Sequence, residues 1–278
     1  MYEHLRTVTC DNDAARVIRS LPRHYYTDPE HYEREKIAIF YKAWICLGHV
    51  SMARKPGDYF SGDIAGQRVL VIRGEDGQLR AFYNNCCHRG HILAEGSGSC
   101  RRIVCRYHAW TYDLDGRLFR APNSEGVEGF DPSKIRLNEL RLQVLAGIVF
   151  VTIDDNAPDL ATLVPGLEEE ILGFKPNVVD QEWVADRPYE HRCNWKVSVE
   201  NFSECYHCGP VHKYLATNVI DPSSYQVSAD GLVQRHEVAG LDGEMVQRIW
   251  HIFPNTAIGL YPIPNFGLIL SIRHMYPT

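Results

Sequence analysis

Residues 84–110 read NNCCHRGHILAEGSGSCRRIVCRYHAW and contain four cysteines and three histidines within 27 positions. Cys86 and His88 form a C-x-H pair, Cys105 and His108 form a C-x-x-H pair, and 16 residues separate the two pairs. Each pair follows a strand-like run, so two hairpin loops would each present two metal ligands. Two cysteines with two histidines are typical of tetrahedral zinc or of a [2Fe–2S] cluster with histidines on one iron. The spacing alone leaves both metal sites open.

The neighbours of these four residues favour the iron–sulfur cluster over zinc. A cluster that changes charge is stabilised by hydrogen bonds to its sulfurs and by an apolar cover, and Tyr107 and Trp110 are suited to these two roles. The remaining cysteines and histidine of the stretch, Cys87, Cys100 and His91, are expected to be packed or solvated loop residues.

The composition is that of a globular protein, with 45% hydrophobic and 23% charged residues among 278. The formal charge is −6, from 29 Lys and Arg against 35 Asp and Glu, without a basic block, which argues against nucleic-acid binding. No signal peptide or apolar run of about 20 residues is recognisable, so we expect no membrane segment and a cytoplasmic location. In that reducing compartment, nine cysteines indicate metal binding or burial rather than a disulfide framework.

The pattern along the chain predicts an α+β protein with an inserted all-β domain. Asp28 as N-cap and Pro29 in the first turn predict a helix reaching about Lys42. Short strand-like runs separated by turn pairs such as EDGQ and LDGR follow from Trp44 to about Asp154. The predicted parts are a helical segment at 1–43, the β domain at 44–155 and a mixed segment at 156–278.

A second constellation, ENFSECYHCGPVH, occupies residues 200–212. His207 and His212 are five positions apart, which on one helix separates them by about 140°. A helix over 194–208, ended by the Gly-Pro pair at 209–210, would let the chain fold back and bring the two histidines together. Two converging imidazoles are two-thirds of the 2-His-1-carboxylate set that binds Fe(II), although two unconnected histidines near a turn remain an alternative.

The stretch CCHRGHILAEG with CRYHAW resembles the cluster-binding signature of the Rieske non-haem iron oxygenases. The resemblance implies that Cys86 and Cys105 hold one iron and that His88 and His108 hold the other. Two neighbours depart from the family pattern, with Arg106 and Ala109 standing where the family often has Pro and Gly. These departures affect the shape of the loop rather than the ligands.

The second constellation resembles the mononuclear iron motif of the same family. The resemblance implies that His207 and His212 are iron ligands and that Glu204 bridges the cluster of one subunit to the iron of its neighbour in a head-to-tail homotrimer. The form ECYHC resembles the branch that acts on quaternary ammonium compounds such as choline, carnitine, glycine betaine and proline betaine. Aromatic faces recognise such cations, and the candidates are Phe202, Tyr206, Trp250, Phe253, Tyr261 and Phe266.

The family also has a carboxylate ligand far downstream of the two histidines. Only 278 − 212 = 66 residues follow His212 here. Their acids are Asp221, Asp230, Glu237, Asp242 and Glu244. We expect the third ligand to lie beyond residue 278 and the catalytic domain to be C-terminally incomplete, with Asp221 or Asp242 as alternatives.

Taken together, the resemblance implies an all-β Rieske [2Fe–2S] domain inserted in a helix-grip catalytic domain of antiparallel sheet and helices. It implies an oxygenase that takes electrons from an NAD(P)H-dependent flavin and iron–sulfur reductase, activates O₂ at a mononuclear Fe(II), and hydroxylates or oxidatively demethylates a small quaternary ammonium compound. An aromatic-ring dioxygenase, a Rieske electron-transfer protein and a structural zinc protein are the alternatives.

Overall fold

The computed structural model describes residues 20–175, 177–241, 245–263 and 267–274. The described chain divides into two compact units. We call the first, residues 40–157 and 179–185, the β unit. The second, which we call the mixed unit, comprises the described residues within 20–39, 158–178 and 186–274. With mostly antiparallel sheets and short helices, the chain is an α+β protein, as predicted.

The β unit is built from ten short strands. They are β1 (Ile45–His49), β2 (Asp58–Ile64), β3 (Gln67–Arg73), β4 (Leu79–Tyr83), β5 (Ser97–Ser99), β6 (Ile103–Val104), β7 (Thr111–Tyr112), β8 (Leu118–Arg120), β9 (Glu139–Leu145) and β10 (Ile148–Thr152). Seven form an antiparallel sheet in the order β1-β10-β9-β4-β3-β2-β5, and β6-β7-β8 form a second sheet. Strands β1 and β10 are buried at every position, as expected of continuous apolar runs.

Two tight turns fix the register of the larger sheet. Ala65-Gly66 joins β2 to β3, and Ala146-Gly147 joins β9 to β10; all four residues have positive φ, between 49° and 92°. This is the backbone of the two-residue hairpin turns that match strand twist. A Cβ on Gly147 would also lie 2.7 Å from His49 Nε2, so the position requires glycine for space as well.

The smaller sheet packs its inner side into the core beneath the loops of residues 84–110. Ile103 pairs with Tyr112, and Tyr112 pairs with Leu118, so their side chains share one face. All three are buried in one hydrophobic cluster with Cys86 and Cys105. The two cysteines are therefore anchored in the apolar core rather than at the loop tips.

The mixed unit contains an antiparallel meander of five strands in sequence order. They are β11 (Gln226–Asp230), β12 (Val233–Ala239), β13 (Met245–Ile252), β14 (Thr256–Ile263) and β15 (Gly267–His274). On one face Glu170 accepts hydrogen bonds from Arg235 at 2.8 Å and Arg248 at 3.0 Å. Phe174 packs edge-on against Trp250 on the same face, with ring centroids 5.5 Å apart. That face is thus closed by the chain around residue 170.

The helices are short. They are α1 (His24–Thr27), α2 (Pro29–Glu35), α3 (Leu160–Leu163), α4 (Leu167–Leu172), α5 (Trp195–Phe202), α6 (Cys208–Val211) and α7 (Lys213–Asn218). Asp28 caps α2 by accepting from Glu30 N–H at 2.9 Å, as predicted, and the helix continues as a π-helical turn over Lys36–Phe40. In the described part of the chain, no helix combines the length and apolar character needed to cross a bilayer.

A buried polar contact joins α2 to α5. Trp195 Nε1 donates to Glu35 Oε2 at 2.9 Å, and Lys196 Nζ lies 2.6 Å from Glu35 Oε1. All three side chains are buried, so each satisfies the others' hydrogen-bonding groups away from water. The contact fixes the start of α5, the helix that leads to Glu204 and the two downstream histidines.

Candidate functional site

The first cysteine–histidine pair lies in a loop that follows β4. Cys86 N–H donates to the carbonyl of His91 at 2.8 Å, and Gly90 N–H donates to the carbonyl of Cys86 at 2.8 Å. Buried Asn84 braces this loop: its Oδ1 accepts from two backbone N–H groups at 3.1 and 3.2 Å, and its Nδ2 donates to the carbonyl of Ala94 at 2.7 Å. The loop shape is therefore set by its own hydrogen bonds.

The second pair lies in a loop with the same hydrogen-bond pattern. Cys105 N–H donates to the carbonyl of Trp110 at 2.8 Å, and Ala109 N–H donates to the carbonyl of Cys105 at 3.0 Å. Ala109 stands in the place of Gly90 and has φ of 56°, close to the 68° of the glycine. A left-handed backbone costs a residue with a Cβ about 1 kcal/mol. The departure from glycine at residue 109 thus keeps the loop shape and adds strain.

The four side chains form an inner sulfur pair and an outer imidazole pair. Cys86 and Cys105 are buried, and their thiols are neighbours. Burial raises the pKa of the Cys86 thiol. His88 and His108 are exposed, and their ring centroids lie 4.8 Å apart.

Tyr112 contacts the sulfur pair and the backbone beside it. Its hydroxyl lies 3.1 Å from Cys86 Sγ and accepts from Cys87 N–H at 3.1 Å. The side chain is fully buried, and burial raises its pKa, so the phenol keeps its proton and can donate a hydrogen bond to a thiolate sulfur at Cys86. The sequence predicted that Tyr107, rather than Tyr112, would make the hydrogen bond to sulfur. The signal it missed is the alternation of β7, which turns Tyr112 toward the core.

Two aromatic rings cover the imidazole side. Trp110 stacks on His88, with centroids 4.9 Å apart and planes 9° from parallel. Tyr107 is 57% exposed and lies against His108 at 3.9 Å, where its ring covers an imidazole rather than reaching a sulfur. Each histidine ring therefore has an aromatic neighbour that restricts its orientation.

The four cysteine and histidine side chains fit a cluster better than a zinc ion. Among the residues that the structure describes, no three His, Cys, Asp or Glu side chains are arranged to hold one metal ion. Zinc needs four ligands around a single point, whereas each iron of a Rieske-type cluster takes two from the protein. The separated sulfur and imidazole pairs match the second requirement.

The segment before the second histidine pair differs from the prediction. Helix α5 is capped by Asn194, which accepts from Lys196 N–H, but it ends at Phe202 rather than at Cys208. Gly209 and Pro210 then lie inside α6 instead of terminating a helix. Proline is tolerated in the first turn because the N–H groups there have no intrahelical acceptor.

His207 and His212 lie at the two ends of α6. His207 precedes the helix and His212 follows it, at the junction with α7. Their ring centroids are 5.2 Å apart and the ring planes cross at 67°. The fold-back expected from the Gly-Pro pair is thus achieved by a single short helical turn between the two histidines.

Glu204 makes a hydrogen bond to the first of these histidines. Its Oε1 lies 2.7 Å from His207 Nδ1, and its Oε2 accepts from the backbone N–H of Tyr206. The hydrogen bond with His207 is the main cause of the lowered pKa of the Glu204 carboxyl. A carboxylate bound to Nδ1–H holds the tautomer in which Nε2 keeps its lone pair, which is the form that ligates a metal.

Cys205 and Cys208 form a disulfide next to this site. The expectation of metal binding or burial rather than disulfides therefore does not hold at these two positions. Their Cα atoms lie 5.1 Å apart, within the usual range for a disulfide, because the chain turns between them. The bridge encloses Tyr206 and His207.

The acids that follow His212, including the alternative third ligands Asp221 and Asp242, make other contacts, are exposed or lie outside the described residues. Asp221 caps a 3₁₀ turn by accepting from Ser223 N–H at 2.9 Å, and Glu237 pairs with Arg248. Asp230 is an exposed residue at the end of β11. Asp242 and Glu244 lie outside the described residues.

The candidate aromatic residues separate into different environments. Trp250 is buried on the face closed by Phe174, whereas Tyr206 is 96% exposed. Phe253 is exposed in the turn between β13 and β14, and Phe266 lies outside the described residues. Phe202 and Tyr261 remain, and both are on the other face of the five-stranded sheet.

Comparison with known proteins accounts for both constellations. The model of the Rieske [2Fe-2S] domain matches residues 43–131, and that of the ring hydroxylating alpha subunit (catalytic domain) matches residues 180–243. The carnitine monooxygenase oxygenase subunit of Acinetobacter baumannii is 41% identical over 267 residues, covering 93% of this chain and 72% of the relative. The chain belongs to the Rieske oxygenases. These oxygenases are oxidoreductases with a Rieske cluster and a mononuclear iron centre.

Two further relatives are similar along most of the chain. The chloroplastic choline monooxygenase of Spinacia oleracea is 30% identical over 270 residues, covering 92% of this chain and 60% of the relative. The crystal structure of the quaternary ammonium Rieske monooxygenase CntA in complex with L-carnitine matches with a TM-score of 0.79 at 34% identity, covering 92% of this chain and 75% of that one. This Rieske oxygenase chain therefore spans between about 60% and 75% of the length of these relatives.

Proposed function

We propose that this chain is the oxygenase component of a two-component Rieske monooxygenase that hydroxylates or oxidatively N-demethylates a small quaternary ammonium compound. The observation that carries the proposal is the 41% identity to a carnitine monooxygenase oxygenase subunit along 93% of the chain, which spans both histidine constellations. Electrons would come from an NAD(P)H-dependent flavin and iron–sulfur reductase.

In this proposal, the metal ligands are those suggested by the sequence. Cys86 and Cys105 hold one iron of the cluster, and His88 and His108 hold the other. His207 and His212 hold the mononuclear iron. The supporting geometry is the buried sulfur pair, the exposed imidazole pair, and the 5.2 Å between the centroids of the second two rings.

The proposed domain division follows the same assignment. Residues 44–155 form the Rieske domain, and 1–43 with 156–278 belong to the catalytic domain. The position of the Rieske model match at 43–131 and the compactness of the β unit support this division.

When bound, the cluster supplies single electrons and the mononuclear iron supplies the centre at which O₂ is reduced. The protein's contribution at the cluster is electrostatic. Tyr112 donates a hydrogen bond to the Cys86 sulfur, which favours the reduced, more negative state. Trp110 covers one face of the His88 ring and restricts water there.

Glu204 is the proposed link between the two metal centres. It holds His207 Nδ1 at 2.7 Å, and its side chain is still 46% exposed. The exposed part of the carboxylate is free to accept from the ring N–H of a cluster histidine on a second subunit. The exposure of His88 and His108 supports this arrangement, which a head-to-tail homotrimer would provide.

The substrate proposal is tested by O₂ uptake with the full-length protein and its reductase. We expect carnitine, choline or a betaine to increase reductase-dependent O₂ uptake and to release an aldehyde, because hydroxylation beside a quaternary nitrogen breaks the C–N bond. Cis-diols from an aromatic ring, without turnover of any quaternary ammonium compound, would instead support an aromatic-ring dioxygenase.

The cluster assignment has a separate spectroscopic test. Anaerobically purified protein should be red-brown and, once reduced, give the EPR signal of a histidine-ligated [2Fe–2S] centre. Bound zinc without iron or inorganic sulfide would overturn the assignment. A cluster that cycles electrons in a protein without bound mononuclear iron would support the electron-transfer alternative.

A further inference from the structure

Two buried histidines lie on the sheet face that meets the end of α5. His236 on β12 and His251 on β13 are 1% and 5% exposed. His251 pairs with Gln234 in the register of the two strands, which places it on the same face as His236. Gln234 Nε2 donates to the carbonyl of Ser203 at 3.3 Å, and the Phe202 ring centroid lies 6.0 Å from that of His236. This face therefore meets the chain immediately before Glu204.

Each of the two imidazoles has a nitrogen without a hydrogen-bond partner. Among the described residues, nothing pairs with Nε2 of His236 or with Nε2 of His251, although both atoms are buried. An unpaired buried polar group destabilises a fold by about 1–3 kcal/mol, so native proteins rarely keep two of them side by side without a use. Both rings are neutral, because burial lowers the pKa of each to about 4.

The partners of the other ring nitrogens decide what each Nε2 offers. Tyr225 hydroxyl contacts His236 Nδ1, and burial raises the pKa of Tyr225 to about 12. The phenol is the stronger acid of these two neutral groups, so it donates to Nδ1, and His236 Nε2 carries the hydrogen. His251 instead donates to the carbonyl of Pro254, which leaves its Nε2 with a lone pair. One imidazole is thus a donor and the other an acceptor.

An aromatic ring stands on the same face as the two histidines. Tyr261 lies across Gly259, where an added Cβ would be only 2.4 Å from the ring. Gly259 pairs with Ile249 and Ala257 pairs with His251, which places β14 beside the two histidines. The face therefore combines an aromatic surface with one donor and one acceptor.

We propose that His236 and His251 bind the hydroxyl group of a substrate that carries both a hydroxyl and a permanent cation. The proposal rests on the proposed function and specifies its substrate class. A hydroxyl donates one hydrogen bond and accepts others, so it pairs with both Nε2 atoms. A carboxylate only accepts, so it would leave the His251 lone pair unpaired. Carnitine and choline have such a hydroxyl, whereas glycine betaine and γ-butyrobetaine do not.

The test compares L-carnitine with γ-butyrobetaine, which differ only in this hydroxyl. Binding is measured by calorimetry on the oxidised, metal-loaded full-length protein, so no turnover occurs. We expect L-carnitine to bind about tenfold or more tightly than γ-butyrobetaine. The shorter pair, choline and ethyltrimethylammonium, makes the same comparison if the pocket takes the smaller cation.

Variants then assign the preference to the two histidines. His251→Leu and His236→Leu should each remove most of the preference by weakening the hydroxylated ligand about tenfold, with less than about a twofold change for the other. Retained binding of γ-butyrobetaine, or of ethyltrimethylammonium, shows that the variant is folded; His251→Asn serves if the leucine variant does not fold. Thr256→Val is the matched control, because its buried hydroxyl also has no partner among the described residues but lies on the opposite face.

The outcomes separate this inference from the proposed function. Equal binding of both members of each pair, or an unchanged preference in the histidine variants, would overturn the inference and leave the proposed function standing. If glycine betaine or proline betaine binds and none of the four ligands does, the inference fails alone. If no quaternary ammonium compound binds, the proposed function fails, and the inference fails with it.

Discussion

The cluster loops and the histidine-bearing sheet treat buried polar groups in opposite ways. Around the cluster loops, Asn84 and Tyr112 are buried and fully engaged in hydrogen bonds, and the described residues of the β unit contain no buried side-chain N or O atom without a partner. In the mixed unit, His236 and His251 each retain such an atom. The β unit thus satisfies the buried polar groups around its cysteine and histidine loops, whereas the sheet face leaves two buried imidazole nitrogens without a partner among the described residues.

The largest effect is expected at Glu204, the residue proposed to connect the two regions. Glu204→Gln keeps the size of the side chain but removes the charge that holds His207 Nδ1–H. We expect product formation to fall about 100-fold or more, while both metal centres stay occupied and the reductase reduces the cluster normally. Single-turnover measurements should show slow reoxidation of the reduced cluster with substrate and O₂.

Glu200→Gln is the matched control for this variant. Glu200 is on α5 and accepts from the Tyr26 hydroxyl at 2.6 Å, away from His207. The reduced cluster of the Glu200→Gln variant should reoxidise at the wild-type rate. If Glu204→Gln also reoxidises at that rate, Glu204 only stabilises the end of its turn and does not connect the centres.

The second experiment measures how the free energy of unfolding depends on pH through the two buried histidines. Because burial lowers the pKa of His236 and His251 to about 4, the unfolded chain binds protons at these residues below about pH 6.5 while the folded chain does not. The stability present above pH 6.5 is therefore lost progressively as the pH falls toward 4. We expect a loss on the order of 3 kcal/mol for each histidine in the free energy of unfolding, measured by urea titration.

A His236→Gln/His251→Gln double variant tests the origin of that pH dependence. Glutamine does not titrate, so the stability of the variant should change much less between pH 6.5 and 4.5. An identical pH dependence in both proteins would place the titrating groups elsewhere.

The third experiment removes the hydrogen bond between Tyr112 and the Cys86 sulfur. Tyr112→Phe should lower the reduction potential of the cluster, since the hydroxyl no longer donates to the Cys86 sulfur. The loss of a bond worth about 1–2 kcal/mol corresponds to a decrease on the order of 40–90 mV for one electron. Tyr107→Phe is the control, because the Tyr107 ring lies against that of His108, with centroids 3.9 Å apart. Equal potentials in the two variants would contradict the role of Tyr112.

The smallest effect concerns the one difference between the two cluster loops. Ala109→Gly should relieve the left-handed backbone and raise the free energy of unfolding by about 0.5 kcal/mol, after the greater flexibility of glycine in the unfolded chain is included. Gly90→Ala should lower it by about 0.5 kcal/mol for the same reason. Thermal loss of the cluster absorption provides the measurement, and a stabilising effect of Gly90→Ala would disprove this explanation.

The two regions also differ in how far the sequence predicts them. The β strands and the loops of the cluster follow from local patterns: apolar runs, turn pairs, and ligands two or three positions apart. Tyr112 escaped prediction because its contact with Cys86 depends on strand pairing, which joins residues 26 positions apart. A short window around each ligand does not contain that information.

Around the second histidine pair the local signals were misleading. The sequence Gly209-Pro210 is a common way to end a helix, but it is equally compatible with the first turn of one, and the fold uses it there. The unpaired nitrogens of His236 and His251 were not foreseen, because they depend on the register of β12 and β13. Strand register comes from the packing of the whole sheet rather than from one segment.

The contact of Glu35 with Trp195 and Lys196 has a consequence for the order in which the protein is made. Glu35 and Lys196 are 161 positions apart, with residues 40–157 of the β unit between them. During synthesis, those residues leave the ribosome as one continuous stretch, whereas the mixed unit must wait for partners from both ends of the chain. We therefore expect residues 40–157 to resist protease in nascent chains that stop before α5, when α2 has no partner helix. The loops of residues 84–110 would then be ready for cluster assembly while strands β11–β15 are still being translated.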